Sequence, residues 1–190
     1  MTVNRNDGDP RHPQPRRPTV SRAAIGCATG LDWVQTCVLK AAGDEAMYLW
    51  DRRLTLDQVE ARLARATHIS RRQIEASLQP LSTCGYLYAD DDPHNPEIVL
   101  QLTEKGLDEY CYRFVGAVDR IRQEIFRLVC QDVGIDVHEI ARRTEQSGLL
   151  VEHILDVAQR MALLRVVKKG QYIVVTAVTP QLLRLISGAA

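Results

Sequence analysis

Ser70-Arg71-Arg72-Gln73-Ile74-Glu75-Ala76-Ser77-Leu78-Gln79-Pro80-Leu81-Ser82-Thr83-Cys84-Gly85-Tyr86-Leu87-Tyr88 is the stretch on which the fold turns. Ser70 is an N-cap residue type, Ile74, Leu78 and Leu81 share one helical face, and Gly85 stands where a helix stops. Pro80 falls late in this helix and is expected to bend it or tighten its last turn. Tyr86-Leu87-Tyr88 then leaves as a short strand, and Ile98-Val99-Leu100-Gln101-Leu102 reads as its return. The polar loop Asp90-Asp91-Asp92-Pro93-His94-Asn95-Pro96 joins them. Thr103 caps the next helix, with Glu104 in the first turn where the dipole favours an acid. Upstream, Thr55 caps a helix that turns Val59 and Leu63 inward. From Leu31 to Trp50, Trp33, Val34, Cys37, Val38, Ala41 and Ala42 recur at helical spacing, with Gly43-Asp44 as a weak point midway.

Three helices followed by a hairpin is the winged-helix order, in which the third helix normally enters the DNA major groove. Leu78-Gln79-Pro80-Leu81-Ser82-Thr83-Cys84-Gly85-Tyr86-Leu87 resembles the recognition-helix exit of MarR- and PadR-type bacterial regulators. Leu102-Thr103-Glu104-Lys105-Gly106 is similar to the Leu-Thr-x-x-Gly that follows the wing in those families. The resemblance covers roughly residues 31–114, and it implies a winged-helix fold and DNA binding.

The pattern then recurs. Ile135-Asp136-Val137-His138-Glu139-Ile140 matches Leu54-Thr55-Leu56-Asp57-Gln58-Val59 at an offset of 81. Val151, Leu155, Ala158 and Ala162-Leu163-Leu164 match Ile74, Leu78, Leu81 and Gly85-Tyr86-Leu87 at an offset of 77. The four missing residues fall in a loop, where deletions are tolerated. Arg165-Val166-Val167-Lys168 and Gln171-Tyr172-Ile173-Val174-Val175 make a tighter hairpin around Lys169-Gly170, and Thr179-Pro180 opens a last helix. The fold expected is therefore mainly α with small β-hairpin wings (α+β), as two tandem winged helix-turn-helix domains. Residues 1–22 form a Pro/Arg-rich disordered arm, 23–116 the first domain and 117–190 the second.

Between the units, Leu107, Cys111, Phe114, Val118, Ile121, Ile125 and Leu128 are spaced 4-3-4-3-4-3, a seam over three heptads. A long linking helix from about Thr103 to Cys130 would display it, either as a homodimer interface or against the chain's own core. Gly116 is the residue able to split that helix.

Charge divides the chain. Lys and Arg total 24 against 24 Asp and Glu, but residues 1–23 carry +3, 24–116 carry −5 and 117–190 carry +2. No global basic field announces a nucleic-acid partner. No apolar run reaches the roughly 18 residues of a membrane span, and the N-terminus lacks the apolar region of a secretory signal. The five cysteines form no CxxC pair, so they read as thiols in a reducing cytoplasm. Catalytic motifs are missing: there is no GxSxG, P-loop, GxGxxG or HExxH. Exposed acidic turns usually stay solvated, so Asp90–Asp92 with His94 do not read as a metal site. Neither an enzyme nor a cofactor is expected.

The functional candidates cluster at the first unit's third helix. Arg71, Arg72 and Gln73 have the chemistry to read guanine and adenine edges. Ser70 and Ser77 lie on the same helix, and Arg62 and Arg65 on the preceding one offer phosphate contacts. Arg16-Arg17-Pro18 has the composition of a minor-groove arm. Against DNA stand the acidic wing tip and the apolar start of the second unit's third helix, Leu149-Leu150-Val151-Glu152-His153, which suits a protein contact. Two readings follow. One is a dimeric transcriptional regulator on double-stranded DNA. The other is a non-enzymatic adaptor resembling chromosome-segregation subunits of the ScpB and MukE type. A continuous positive strip around Arg71 and Arg72 favours the first; an isolated Arg pair beside an acidic wing favours the second.

Overall fold

Asp32 accepts from the Gln35 amide at 2.8 Å while Gln35 Oε1 accepts from the Asp32 amide at 3.2 Å, and this reciprocal cap starts α1 (Trp33–Leu49). The computed structural model describes residues 30–90, 97–170 and 172–188. The N-terminal arm, with Arg16-Arg17-Pro18, and the wing-tip residues Asp91, Asp92 and His94 lie outside them. α1 runs unbroken through Gly43-Asp44. Gly43 is a notch, not a weakness: a Cβ there would stand 2.0 Å from the Tyr110 ring, whose hydroxyl donates to Asp44 at 2.8 Å.

The chain continues through β1 (Arg53–Thr55), α2 (Leu56–Ala64), α3 (Arg71–Thr83), β2 (Leu87–Asp90) and β3 (Val99–Leu102). The strands form an antiparallel sheet in the order β1-β3-β2, pairing Leu54 with Leu100 and Leu87 with Leu102. All four leucines point into the core and are essentially fully buried. β1 has no sequence signature; three residues become a strand because β3 offers them a free edge. Thr55 caps α2 with Gln58 as its reciprocal partner, burying Leu56, Val59 and Leu63. α3 buries Ile74, Leu78 and Leu81 and continues past Pro80 for one more turn. Gly85 then takes φ +75°, a left-handed conformation open to glycine.

The single linking helix is corrected to two. α4 (Glu104–Phe114) ends at Val115, whose ψ of 106° is extended, and Ala117 adopts φ 56° before α5 (Val118–Gln131) begins. A left-handed residue cannot continue a right-handed helix, so the heptad seam never forms one stripe. Leu107 and Ile125 are completely buried, and Cys111 nearly so. Phe114, Val118 and Ile121 pack half-buried against the same core, and Leu128 is also half-buried. The expected dimer interface is thus, at Leu107 and Ile125, the inside of the molecule.

The second half follows as α6 (Val137–Thr144), α7 (Gly148–Arg160), β4 (Leu164–Lys169), β5 (Tyr172–Val178) and α8 (Pro180–Ser187). β4 and β5 pair antiparallel, with an irregularity between Arg165 and Val166, and Asp136 makes an isolated antiparallel bridge to Val174. The element order of the first half therefore returns, with β1 reduced to a bridge. Equivalence extends to details. Thr55 and Asp136 cap the second helices; Ile74 and Val151, Leu78 and Leu155, and Leu81 and Ala158 are buried counterparts. Ala162 takes φ 55° where the first half has Gly85. Thr103 donates to the Gly85 and Tyr86 carbonyls and Thr179 to that of Leu163, each hydroxyl also capping the helix after the wing. The fold is α+β, mainly helical, with antiparallel sheets of three and two strands. No described helix is long and apolar enough to cross a membrane.

Candidate nucleic-acid interface

The start of α3 is where base-reading side chains are expected, and most of them are already engaged. Gln73 folds back on the cap: its Oε1 accepts from the Ser70 amide at 2.9 Å and from Ser70 Oγ at 2.8 Å. Arg71 is exposed but enclosed by carboxylates. Its guanidinium reaches Asp57 at 2.6 Å, Glu60 at 2.9 Å and Glu75 at 3.1 Å. Hydrogen bonding to Asp57, then Glu75, holds its pKa above the ordinary arginine value. Three negative charges around one positive charge make this corner acidic.

Two candidates are turned away from the expected interface, Ser77 into the core and Arg62 toward α1. Ser77 is 5% exposed, its hydroxyl donating to the Ile74 carbonyl at 2.6 Å, so it belongs to the core packing of α3. Arg62 turns toward α1, pairing with Glu45 at 2.6 Å and lying 5.9 Å from the centre of the Tyr48 ring. The reason is geometric: on α2, position 62 lies one residue from the buried Leu63 and looks back at α1. Arg65 and Arg72 remain exposed and unpaired among the described residues. They mark the two ends of the α2–α3 turn. The basic feature around Arg71 and Arg72 is therefore not a continuous strip.

α7, expected as the third helix of a second unit, offers no free face at its start. Gly148 sits so close to the Trp50 indole that a Cβ would lie 2.3 Å from it. Ser147 Oγ donates to the Met47 carbonyl at 2.7 Å, and Leu149, Leu150 and Val151 are buried. Further along, His153 meets Asp108 at 2.8 Å and Arg160 pairs with Glu104, both on α4. Trp50 also stacks edge-on against His138, with centroids 4.3 Å apart. The expected protein-partner surface on this helix is corrected: its first turn is buried, with Ser147 and Gly148 set against Met47 and Trp50 of the first half. The β4–β5 hairpin keeps Arg165 and Lys169 exposed, while Lys168 turns to Glu152 at 2.8 Å and Asp156 at 3.8 Å.

Cys37, Cys111 and Cys130 are free thiols, and burial pushes Cys111 up to about 12, far from a reactive thiolate. Among the described residues, no group of three or more His, Cys, Asp and Glu side chains is placed to hold a metal ion.

Sequence reasoning passed over the outer side of α1. Tyr48 is 77% exposed and Leu49 is also open, beside a groove between α1 and α2 lined by Glu45, Gln58, Ala61, Arg62 and Arg65. The helical period gave only part of the signal: Tyr48 falls at the edge of the buried stripe, whereas Leu49, seven residues after Ala42, falls on it and is open because the helix ends there. Comparison with known proteins yields no matching family model and no matching curated sequence, so the reading of this surface rests on the chain's own residues.

Proposed function

We propose that the chain is a tandem winged helix-turn-helix protein acting as a non-enzymatic, protein-binding adaptor. The doubled order of helix, short strand or bridge, two helices and hairpin supports the tandem reading. The observation that carries the adaptor reading is the closure of Arg71 by Asp57, Glu60 and Glu75, with Gln73 turned onto Ser70. A major-groove reader needs those groups free, and phosphates are repelled by surplus carboxylates. The surface fitted to a protein is the α1–α2 groove, where exposed Tyr48 and Leu49 stand beside Arg65, with Arg62 already held by Glu45. Tyrosine and arginine are the residue types that dominate binding at protein interfaces. The partner is accordingly a protein segment carrying an apolar anchor and an acidic side chain.

A second reading has one observation in its favour: Arg65 and Arg72 are exposed and unpaired across the α2–α3 turn, as phosphate contacts would be. Fluorescence anisotropy with a pooled random-sequence duplex at low salt separates the two. The adaptor reading expects no saturable binding at protein concentrations up to about 10⁻⁴ M, the weak end of ordinary non-specific affinity. Saturable binding whose salt slope falls by about one in Arg72→Ala overturns it in favour of DNA.

A further inference from the structure

The docking of α7 onto the first half includes one titratable contact. His153 is 4% exposed and faces α4, where its Nε2–H donates to Asp108 Oδ1 at 2.8 Å. Its other ring nitrogen, Nδ1, is buried and has no hydrogen-bond partner among the described residues. With Nε2 committed to Asp108, a proton arriving on the neutral ring lands on Nδ1. It creates there a buried donor with no acceptor, a costly arrangement that opening to water relieves.

We propose that the His153–Asp108 contact is an acid-released latch between the two halves, holding α7 on α4 while the imidazole is neutral and loosening when Nδ1 takes a proton. The charged and titratable surroundings agree. From α4 Asp108, Cys111 and Tyr112, and from α5 Asp119 and Arg122, line the same cleft of about 260 Å³ as the ring. Arg52, ahead of β1, and Arg160, on α7 itself, both disfavour an imidazolium; Asp108 favours one, but its side chain is 59% exposed and its pull is screened by water. Burial, the largest influence, sets His153 below the ordinary histidine value of 6.5. The closed state therefore binds this proton less tightly than the open state. Closure is at full strength above about 6.5, weakens as pH falls through that value, and levels off below the closed-state pKa. What opening uncovers is the start of α7 at Gly148 with the Trp50 ring against it, and Leu150 in the cleft shared with α4.

The test uses the full chain and hydrogen exchange of the α7 amides, corrected for the intrinsic pH dependence of exchange. The opening equilibrium is expected to rise by up to about tenfold for each pH unit below about 6.5 until it levels off. His153→Gln keeps an N–H for Asp108 and cannot titrate, so its corrected opening is expected to be flat with pH. His138→Gln, at the neighbouring Trp50 contact, is expected to retain the acid response. Proton NMR of the wild-type His153 ring gives a readout that needs no variant. A His153 pKa at or above 6.5 in the folded chain overturns the latch. So does an acid response that survives in His153→Gln or disappears in His138→Gln.

Discussion

Single glycines decide how helices meet in this molecule. Gly43 admits the Tyr110 ring and Gly148 admits the Trp50 indole, at distances where a methyl group has no room. Gly43→Ala is expected to destabilise the chain by about 1–3 kcal/mol, the usual cost of overpacking, seen as a lower urea midpoint at unchanged slope. Tyr110→Phe keeps the ring and removes its bond to Asp44; the expected loss is smaller, about 1 kcal/mol. The opposite sign is expected at Ala162. There the second half forces an alanine to φ 55° where the first half uses Gly85, so Ala162→Gly relieves a strain of roughly 1–2 kcal/mol. Its gain is partly offset by the greater freedom of glycine in the unfolded chain, leaving a small rise in Tm.

At the level of elements, caps were the most legible feature. Thr55, Ser70, Thr103 and Thr179 each stand one residue before a helix, as the residue types and spacing indicate. Thr103 matters most, because its hydroxyl also accepts from Gly106 N–H and bonds the Gly85 and Tyr86 carbonyls, tying wing to helix. Thr103→Ala is expected to cost about 1–2 kcal/mol in chemical denaturation, while Thr103→Ser keeps most of the stability. Less legible were β1 and the α4–α5 break. Three residues of strand carry no periodicity; their pairing depends on an edge almost fifty residues away in sequence. The break was visible only as Gly116, although the left-handed residue is its neighbour Ala117.

Over the whole molecule, the two halves bury surface that would otherwise look like binding surface. The heptad seam illustrates it. Ile121 packs half-buried against the chain's core, and Leu107 and Ile125 are sealed within it. Ile121→Glu is therefore expected to lower stability by roughly 1–3 kcal/mol, read by far-UV circular dichroism during urea titration. A variant that keeps its urea midpoint while sedimenting as a smaller species would instead place the seam between two chains.

The order of helices and hairpins, their caps, the inward faces of α2 and α3, and the recurrence at offsets of 77 and 81 were written in the sequence. Each depends on neighbours within a few residues or on a repeated local pattern. Only the tertiary structure decided which polar side chains are free. Arg71 looks available in sequence and is closed by Asp57 and Glu60 from another helix; Arg62 is turned to Glu45 by its position facing α1. It also decided that the apolar start of α7 is an internal contact. Helical period shows that a face is apolar but not what covers it, because the covering residues, Met47 and Trp50, lie about a hundred positions away and meet α7 only once both halves have folded.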